Sequence, residues 1–196
     1  AAANAGPDQQ LCTPTTSTAL AGNAPTFPAT GVWSVQQGTG IFANANSPTS
    51  GVSGLSIGVN RFRWTINNGP CAPPSTNDDV IVTVFNAASP NANAGPDLQL
   101  CAPPNSITIT GNTPLAPATG VWTLVSGQGS ITSPNNPSTL LTNLGLGVNV
   151  FQWTLNNGPC ANGVTTDQMS VTVFSNASPA ANAGADQDIC SNNNST

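Results

Sequence analysis

The sequence has no lysine, glutamate, histidine or tyrosine, and its charged residues are two arginines and seven aspartates among 196 residues. General acid–base catalysis would therefore depend on aspartate and cysteine alone. Neither a Ser-His nor a Cys-His pair can be assembled. A net charge of −5 without a basic patch also argues against nucleic acid and anionic membranes as partners. The composition thus predicts that the protein is not an enzyme and binds no nucleic acid.

The sequence also lacks any apolar run long enough to span a bilayer, so we expect no membrane insertion. It has no recognisable signal peptide, and it begins inside what reads as a linker. So few charged residues are unusual in a soluble domain, and polar character comes instead from Asn, Thr, Ser and Gln. We therefore expect an extracellular or cell-surface location.

What the sequence does contain is a repeat with a period of 89 residues and no insertions. The segment 4–8 (NAGPD) returns at 93–97, Trp64 returns as Trp153, and a third copy begins at Asn182. A fixed long period indicates an array of similar units, each with its own core. We predict one domain over residues 1–89, a second over 90–179, and the first strand of a third over 180–196. Both ends fall inside the repeating pattern, so we expect the sequence to be part of a longer array.

Short segments rich in β-branched and aromatic residues, separated by Gly, Pro and Asn, predict an all-β sandwich for each repeat. The clearest strand covers 60–66, where Phe62, Trp64 and Ile66 alternate with polar residues and so indicate one buried face. A last strand over 80–85 alternates in the same way. The predicted core residues are Trp33, Phe62, Trp64, Val82 and Val84, with their counterparts Trp122, Phe151, Trp153, Val171 and Val173.

Five cysteines lie at positions 12, 71, 101, 160 and 190, and two pairings respect the period. One joins Cys12 to Cys71 and Cys101 to Cys160, which leaves Cys190 without its partner. The other joins Cys71 to Cys101 and Cys160 to Cys190, which leaves Cys12 over. Either pairing implies an oxidising compartment. The remaining alternative is five buried free thiols in a reducing cell.

Recurring aspartates raise the question of a metal site. Asp8, Asp97 and Asp186 begin successive copies, but one carboxylate per repeat makes a poor calcium site. We therefore expect no cofactor, with structural calcium as the minor alternative. The favoured interpretation is that each of these side chains caps its own turn. The pair Asp78-Asp79 could serve a glycosidase, but its second member becomes Gln in the next copy, so we expect a solvated loop.

Sugar binding is a further possibility, because Trp33, Phe62 and Trp64 would stack on a sugar ring if they were exposed. In a β-sandwich the Trp of a middle strand belongs far more often to the core. Arg61 and Arg63 occur only in the first copy, where they could hold a neighbouring chain or an anionic glycan. We expect them to be solvated.

Several segments resemble PKD-type immunoglobulin-like domains: 3–9 (ANAGPDQ), 31–35 (GVWSV), 60–66 (NRFRWTI) and 78–84 (DDVIVTV). The variant with Cys12 after the first strand and NGPC at 68–71 resembles tandem repeats of very large Bacteroidota surface adhesins, including gliding-motility adhesins. The resemblance implies seven-strand sandwiches arranged end to end in an exported filament. With no lysine, the isopeptide cross-links of other adhesin domains are excluded.

In a sandwich of this type the first strand can run parallel to the last, which leads us to predict the disulfides Cys12–Cys71 and Cys101–Cys160. The functional prediction is a disulfide-stapled structural or adhesive stalk. The alternatives are a subunit of a self-assembling extracellular fibre or sheath, and a carbohydrate-binding accessory module of a secreted enzyme. The expected partners are neighbouring repeats of the same chain, with surface glycans or like chains as further candidates.

Overall fold

The computed structural model describes residues 1–71, 73–177 and 179–186. Cys190 and the rest of the predicted strand at 187–196 lie outside the described residues. Within the described ranges every regular element is a strand, and none of them contains a helix that could cross a membrane. The first repeat (residues 1–89) and the second repeat (residues 90–179) each contribute seven strands.

The strands of the first repeat are β1 (Gln9–Cys12), β2 (Ser17–Ala19), β3 (Thr30–Gln37), β4 (Ile41–Phe42), β5 (Gly51–Ser53), β6 (Gly58–Asn67) and β7 (Ser75–Phe85). Those of the second are β8 (Leu98–Ala102), β9 (Ile107–Thr110), β10 (Thr119–Ser126), β11 (Ser130–Ile131), β12 (Ser138–Thr142), β13 (Gly147–Asn156) and β14 (Val164–Ser175).

Each repeat is a sandwich of a four-stranded and a three-stranded sheet. In the first repeat the strand orders are β1-β7-β6-β3 and β2-β5-β4, and in the second they are β10-β13-β14-β8 and β11-β12-β9. The first strand of each repeat pairs in parallel with the last, and the other pairings are antiparallel. This is the all-β, tandem immunoglobulin-like architecture that the sequence predicts.

Two separate cores fill the two sandwiches. Along β6 the side chains of Phe62, Trp64 and Ile66 have no solvent exposure, as the period-2 alternation requires. The ring of Trp33 lies 4.9 Å from that of Trp64, and a Cβ on Gly31 would come within 2.2 Å of the Trp64 ring. All ten predicted core residues are buried: Trp33, Phe62, Trp64, Val82, Val84, Trp122, Phe151, Trp153, Val171 and Val173.

The predicted solvated loop at Asp78-Asp79 is wrong, because β7 begins earlier, at Ser75. Asp79 lies opposite Arg63 on β6, whose Nε and Nη2 donate to the two carboxylate oxygens at 2.7 and 3.0 Å. These hydrogen bonds lower the pKa of Asp79. Arg63 is therefore a cross-strand ion-pair partner and not an ordinary solvated residue. In the second repeat Gln152 and Gln168 form the equivalent pair, at 3.0 Å.

The recurring aspartate also has a different role from the one expected. Asp8 accepts a hydrogen bond from the backbone N–H of Ile81 at 2.8 Å, which fastens the start of β1 to the last strand. Asp97 does the same with Ser170. The turn itself is closed by Asn4, whose Oδ1 accepts from the N–H of Gly6. The repeated carboxylate is thus a structural contact between two strands distant in sequence.

Candidate functional site at the junction between the repeats

The direction of the first strand decides which cysteines can meet. Because β1 is parallel to β7, its last residue, Cys12, lies beside Phe85 at the end of β7. We call this end of a repeat its C-terminal pole, and the end at which the last strand begins its N-terminal pole. Cys71 precedes β7, so it lies at the N-terminal pole. An 11-residue strand separates the two poles by about 34 Å.

The predicted bridge Cys12–Cys71 is therefore wrong, and Cys101–Cys160 is wrong for the same reason. That pairing requires Cys12 to lie near the start of the first strand, because only the start of a strand parallel to β7 is close to the loop before β7, whereas Cys12 lies at the end of β1. Cys12 is instead bonded to Cys160 of the second repeat, with the two Cα atoms 5.2 Å apart. Cys71 and Cys101 are exposed free thiols, so the alternative pairing Cys71–Cys101 does not form either. The disulfide joins two domains and does not lock a strand within one.

An aromatic contact accompanies this bond. Phe85, the last residue of β7, packs on the backbone of Gly158 in the second repeat, where a Cβ on that glycine would lie 2.5 Å from the Phe85 ring. The Phe85 side chain is 8% exposed. Gly158 has a φ of +58° in the NNGPC turn that also carries Cys160. One turn of the second repeat thus supplies both the bonded sulfur and the surface that receives the ring.

Polar contacts extend the junction along the linker. Asn157 donates through Nδ2 to the carbonyl of Asn86 at 3.0 Å, and Asn162 donates to the carbonyl of Ser89. Ser89 and Asn157 are buried, at 4% and 2% exposure. The linker, residues 86–89, is therefore bound to the second repeat at both of its ends, and the two sandwiches meet end to end.

Among the described residues, the aromatic contact of the junction is not repeated at the two outer poles. Gly69, the counterpart of Gly158, has nothing within 4 Å of where its Cβ would lie. Beside it, residues including Pro28, Pro70 and Cys71 line an open groove of about 670 Å³. At the opposite end, Phe174 takes the place of Phe85 but is 50% exposed. It lies in register with Cys101 as Phe85 does with Cys12.

The structure supports neither the sugar-binding site nor the metal site that the sequence raised as alternatives. Trp33 and Trp64 are 2% and 0% exposed, so the sugar-stacking surface proposed for them does not exist. No group of three or more metal-ligating side chains occurs within 1–71, 73–177 and 179–186.

The junction between the repeats was not predicted from the sequence. Its signals were present, since both NNGPC and the terminal Phe of the last strand recur with the period.

No protein-family model matches the sequence, and no curated protein matches it. Among solved structures, it is similar to the PKD domain (329–428) of human KIAA0319, at 22% identity and a TM-score of 0.38 over 47% of this chain and 88% of that one. It is also similar to extracellular domains 3–5 of Drosophila OTK, at 12% identity and a TM-score of 0.43 over 86% of this chain and 59% of that one. Sidekick-1 immunoglobulin domains 1–5 give 10% identity and a TM-score of 0.46, over 87% and 38% of the two chains.

Proposed function

We propose that this chain is a structural repeat segment of an extracellular filament or stalk, stiffened by a disulfide at the junction between repeats. The observation that carries the proposal is the Cys12–Cys160 bond, which ties the C-terminal pole of one sandwich to the N-terminal pole of the next. A disulfide of this kind persists in an oxidising compartment, which supports a location outside the cell.

The junction restricts movement in two ways. The linker from Asn86 to Ser89 forms one covalent connection between the sandwiches, and the disulfide forms a second at a different point of the interface. Two connections oppose bending and twisting more than a single linker does. Phe85, packed on Gly158, fills the space beside them. The arrangement suits a protein that holds two domains at a fixed distance and direction.

The same proposal extends to the class of protein that contains these repeats. The NAGPD and NNGPC segments, repeated at a fixed period, support a surface adhesin of the Bacteroidota type, with gliding motility as one setting. We propose no enzymatic activity. Because the four tryptophans are buried, an adhesive ligand such as a surface glycan would have to contact other residues.

The junction is tested by peptide mapping and small-angle X-ray scattering on the intact chain. Peptic digestion without reductant should give a peptide pair linked through Cys12 and Cys160. After reduction, Phe85→Ala should shorten the average end-to-end dimension, because the linker alone then holds the repeats in line. Phe174→Ala is the matched control and should leave that dimension unchanged. A Cys12–Cys71 peptide, or equal scattering from the two reduced variants, would contradict the proposed junction.

A fibre built from many copies is a second candidate function. The observation that favours it is that Cys71 and Cys101, the counterparts of the bonded Cys160 and Cys12, are exposed free thiols.

A further inference from the structure

The outer faces of the two three-stranded sheets differ at the middle strand. Gly51 lies on β5, the middle strand of this sheet in the first repeat. Its counterpart under the period of 89 residues is Leu140 on β12, the middle strand in the second repeat. Leu140 is 42% exposed, whereas its neighbours Thr139 and Leu141 are buried. An exposed apolar side chain thus stands on one face where the other face has a glycine.

The residues beside Gly51 make this position a trough. Ala19 pairs with Gly51 across β2 and β5, and on the other side the N–H of Ala43 donates to the Gly51 carbonyl at 2.9 Å. Among the described residues outside the adjacent ones, the Cβ of Ala43 is the nearest atom to where a Cβ on Gly51 would lie, at 3.9 Å. The trough has a volume of about 390 Å³, and Ile41, which is 72% exposed, stands at its side.

The equivalent row in the second repeat is a ridge. Thr108 pairs with Leu140 across β9 and β12, and the N–H of Thr132 donates to the Leu140 carbonyl at 3.0 Å. Both threonines are exposed. An Ala-Gly-Ala row across the first sheet therefore corresponds to a Thr-Leu-Thr row across the second. The chain carries both halves of a complementary pair of surfaces, but they belong to repeats that lie end to end, so one copy cannot bring them face to face.

The distribution of charge favours contact at these two faces. Both arginines lie on β6, three aspartates lie on β7 and β14, and two more immediately precede β1 and β8. All charged residues of 1–179 therefore belong to the four-stranded sheets or to the segments that lead into them. Copies with a net charge of −5 repel one another. The described strands of the three-stranded sheets contain no charged residue, so stacking them removes no ion from water.

We propose that two copies of this chain associate side by side, with the three-stranded sheet of the first repeat of one copy stacked on that of the second repeat of the other. Leu140 of one copy then fills the trough over Gly51 of the other. Stacked sheets lie about 10 Å apart and interdigitate their side chains, which a protruding leucine above a glycine allows. The inference goes beyond the proposed function, because this lateral contact does not use the disulfide junction.

The contact joins two different surfaces, so each copy can offer its trough and its ridge at the same time. Two copies that use both contacts reciprocally form a closed pair, and copies that use them with different neighbours form a lateral bundle. In both cases Leu140 lies over Gly51 of another copy. The partner that fits each face is therefore a second copy of this chain.

The test is sedimentation velocity of the full chain over a range of concentrations. Cys71, Cys101 and Cys190 are replaced by serine, so that oxidation cannot link copies and the Cys12–Cys160 bridge stays intact. We expect association that increases with concentration. A chain that stays monomeric at every concentration would overturn the proposal.

Variants of the same chain locate the contact. Gly51→Leu fills the trough and Leu140→Ala removes the ridge, and each should raise the apparent dissociation constant by about tenfold or more. Leu124→Ala is the matched control, because it truncates a leucine of similar exposure, 39%, on β10 of the four-stranded sheet. It should leave the dissociation constant unchanged. Equal effects of Leu140→Ala and Leu124→Ala would overturn the proposal.

A double variant separates the contact from effects on folding. Gly51→Leu combined with Leu140→Ala exchanges the ridge and the trough between the repeats, so at least part of the lost affinity should return. Urea unfolding shows that each variant is folded. No recovery in a folded double variant would overturn the proposal. Loss of association with the Cys12–Cys160 bridge present contradicts this inference alone, whereas absence of the bridge contradicts the proposed function.

Discussion

At the scale of single residues, the best predicted features are those set by alternation along a strand. Phe62 and Trp64 were expected in the core because every second residue of their strand is apolar, and both are fully buried. Asn60 on the same strand also has no exposure, although its side chain is polar. Its Nδ2 donates to the carbonyl of Val82, and its Oδ1 accepts from the N–H of Thr39. Sequence alternation alone does not reveal such a buried amide, because its partners are backbone groups far along the chain.

Gly31 provides a residue-scale prediction about packing. A Cβ at this position would lie 2.2 Å from the Trp64 ring, which is rigid and fully buried. Gly31→Ala should therefore destabilise the first repeat by about 1–3 kcal/mol through overpacking. The measurement is the free energy of unfolding in urea.

Gly51→Ala is the matched control, because its Cβ would have no neighbour closer than 3.9 Å. This substitution should be neutral or slightly stabilising, since alanine lowers the conformational entropy of the unfolded chain. Equal destabilisation by the two substitutions would show that the Gly31–Trp64 contact does not limit the packing of this core.

At the scale of elements, the last strand shows that the β-propensity of single residues does not determine where a strand begins. The sequence predicted it from its apolar end, over 80–85, but β7 begins five residues earlier. Its polar half is held by partners distant in sequence: Asp79 pairs with Arg63 on β6, and Asp78 accepts from the N–H of Ala5, in the segment before β1, at 2.8 Å. A run of Asp and Asn is typical of a loop when it is considered alone. Here it continues as a strand because β6 lies opposite it.

The Arg63–Asp79 pair predicts a dependence of stability on pH in one repeat only. The hydrogen bonds from Arg63 lower the pKa of Asp79 in the folded state. The stability that the pair contributes is thus fully present above the unfolded pKa of about 3.9, and it is lost as the pH falls through the lower folded value. The effect should be small, because both side chains are partly exposed.

The measurement compares urea unfolding of the unmodified chain and Asp79→Asn across the acid range. The difference in unfolding free energy should be constant near neutral pH and should diminish in acid. Gln168→Asn alters the corresponding neutral pair of the second repeat, and its difference should not vary with pH. A difference for Asp79→Asn that did not diminish in acid would contradict the assigned ion pair.

At the scale of the whole molecule, the sequence predicted the array but not how its units are joined. The period predicted two sandwiches, and the resemblance predicted that they lie end to end. The pairing of cysteines could not be deduced from the period, because both pairings predicted from the sequence satisfy it, and so does the observed pairing of Cys12 with Cys160. The choice depends on the pole at which each cysteine lies, and only the parallel register of β1 with β7 places Cys12 beside Phe85. The junction was missed because it is formed by residues 148 positions apart.

The bridge also determines how the chain responds to force. Tension applied at the two ends passes through the Cys12–Cys160 bond, so the chain between these cysteines carries no load while the bond is intact. In the second repeat β14 follows Cys160, so it remains free to be pulled out. A bridge within each repeat would instead have shielded two loops of about 60 residues.

Single-molecule pulling on the intact chain, with and without reductant, tests the stapled junction most directly. Reduction should release the segment between Cys12 and Cys160, which are 148 positions apart, and so lengthen the fully extended chain by about 500 Å at about 3.3–3.6 Å per residue. Cys160→Ser should reach the longer extension without reductant. If the oxidised chain and the reduced chain extended to the same length, or if reduction released two segments of about 60 residues instead of one, the disulfide would not join the repeats.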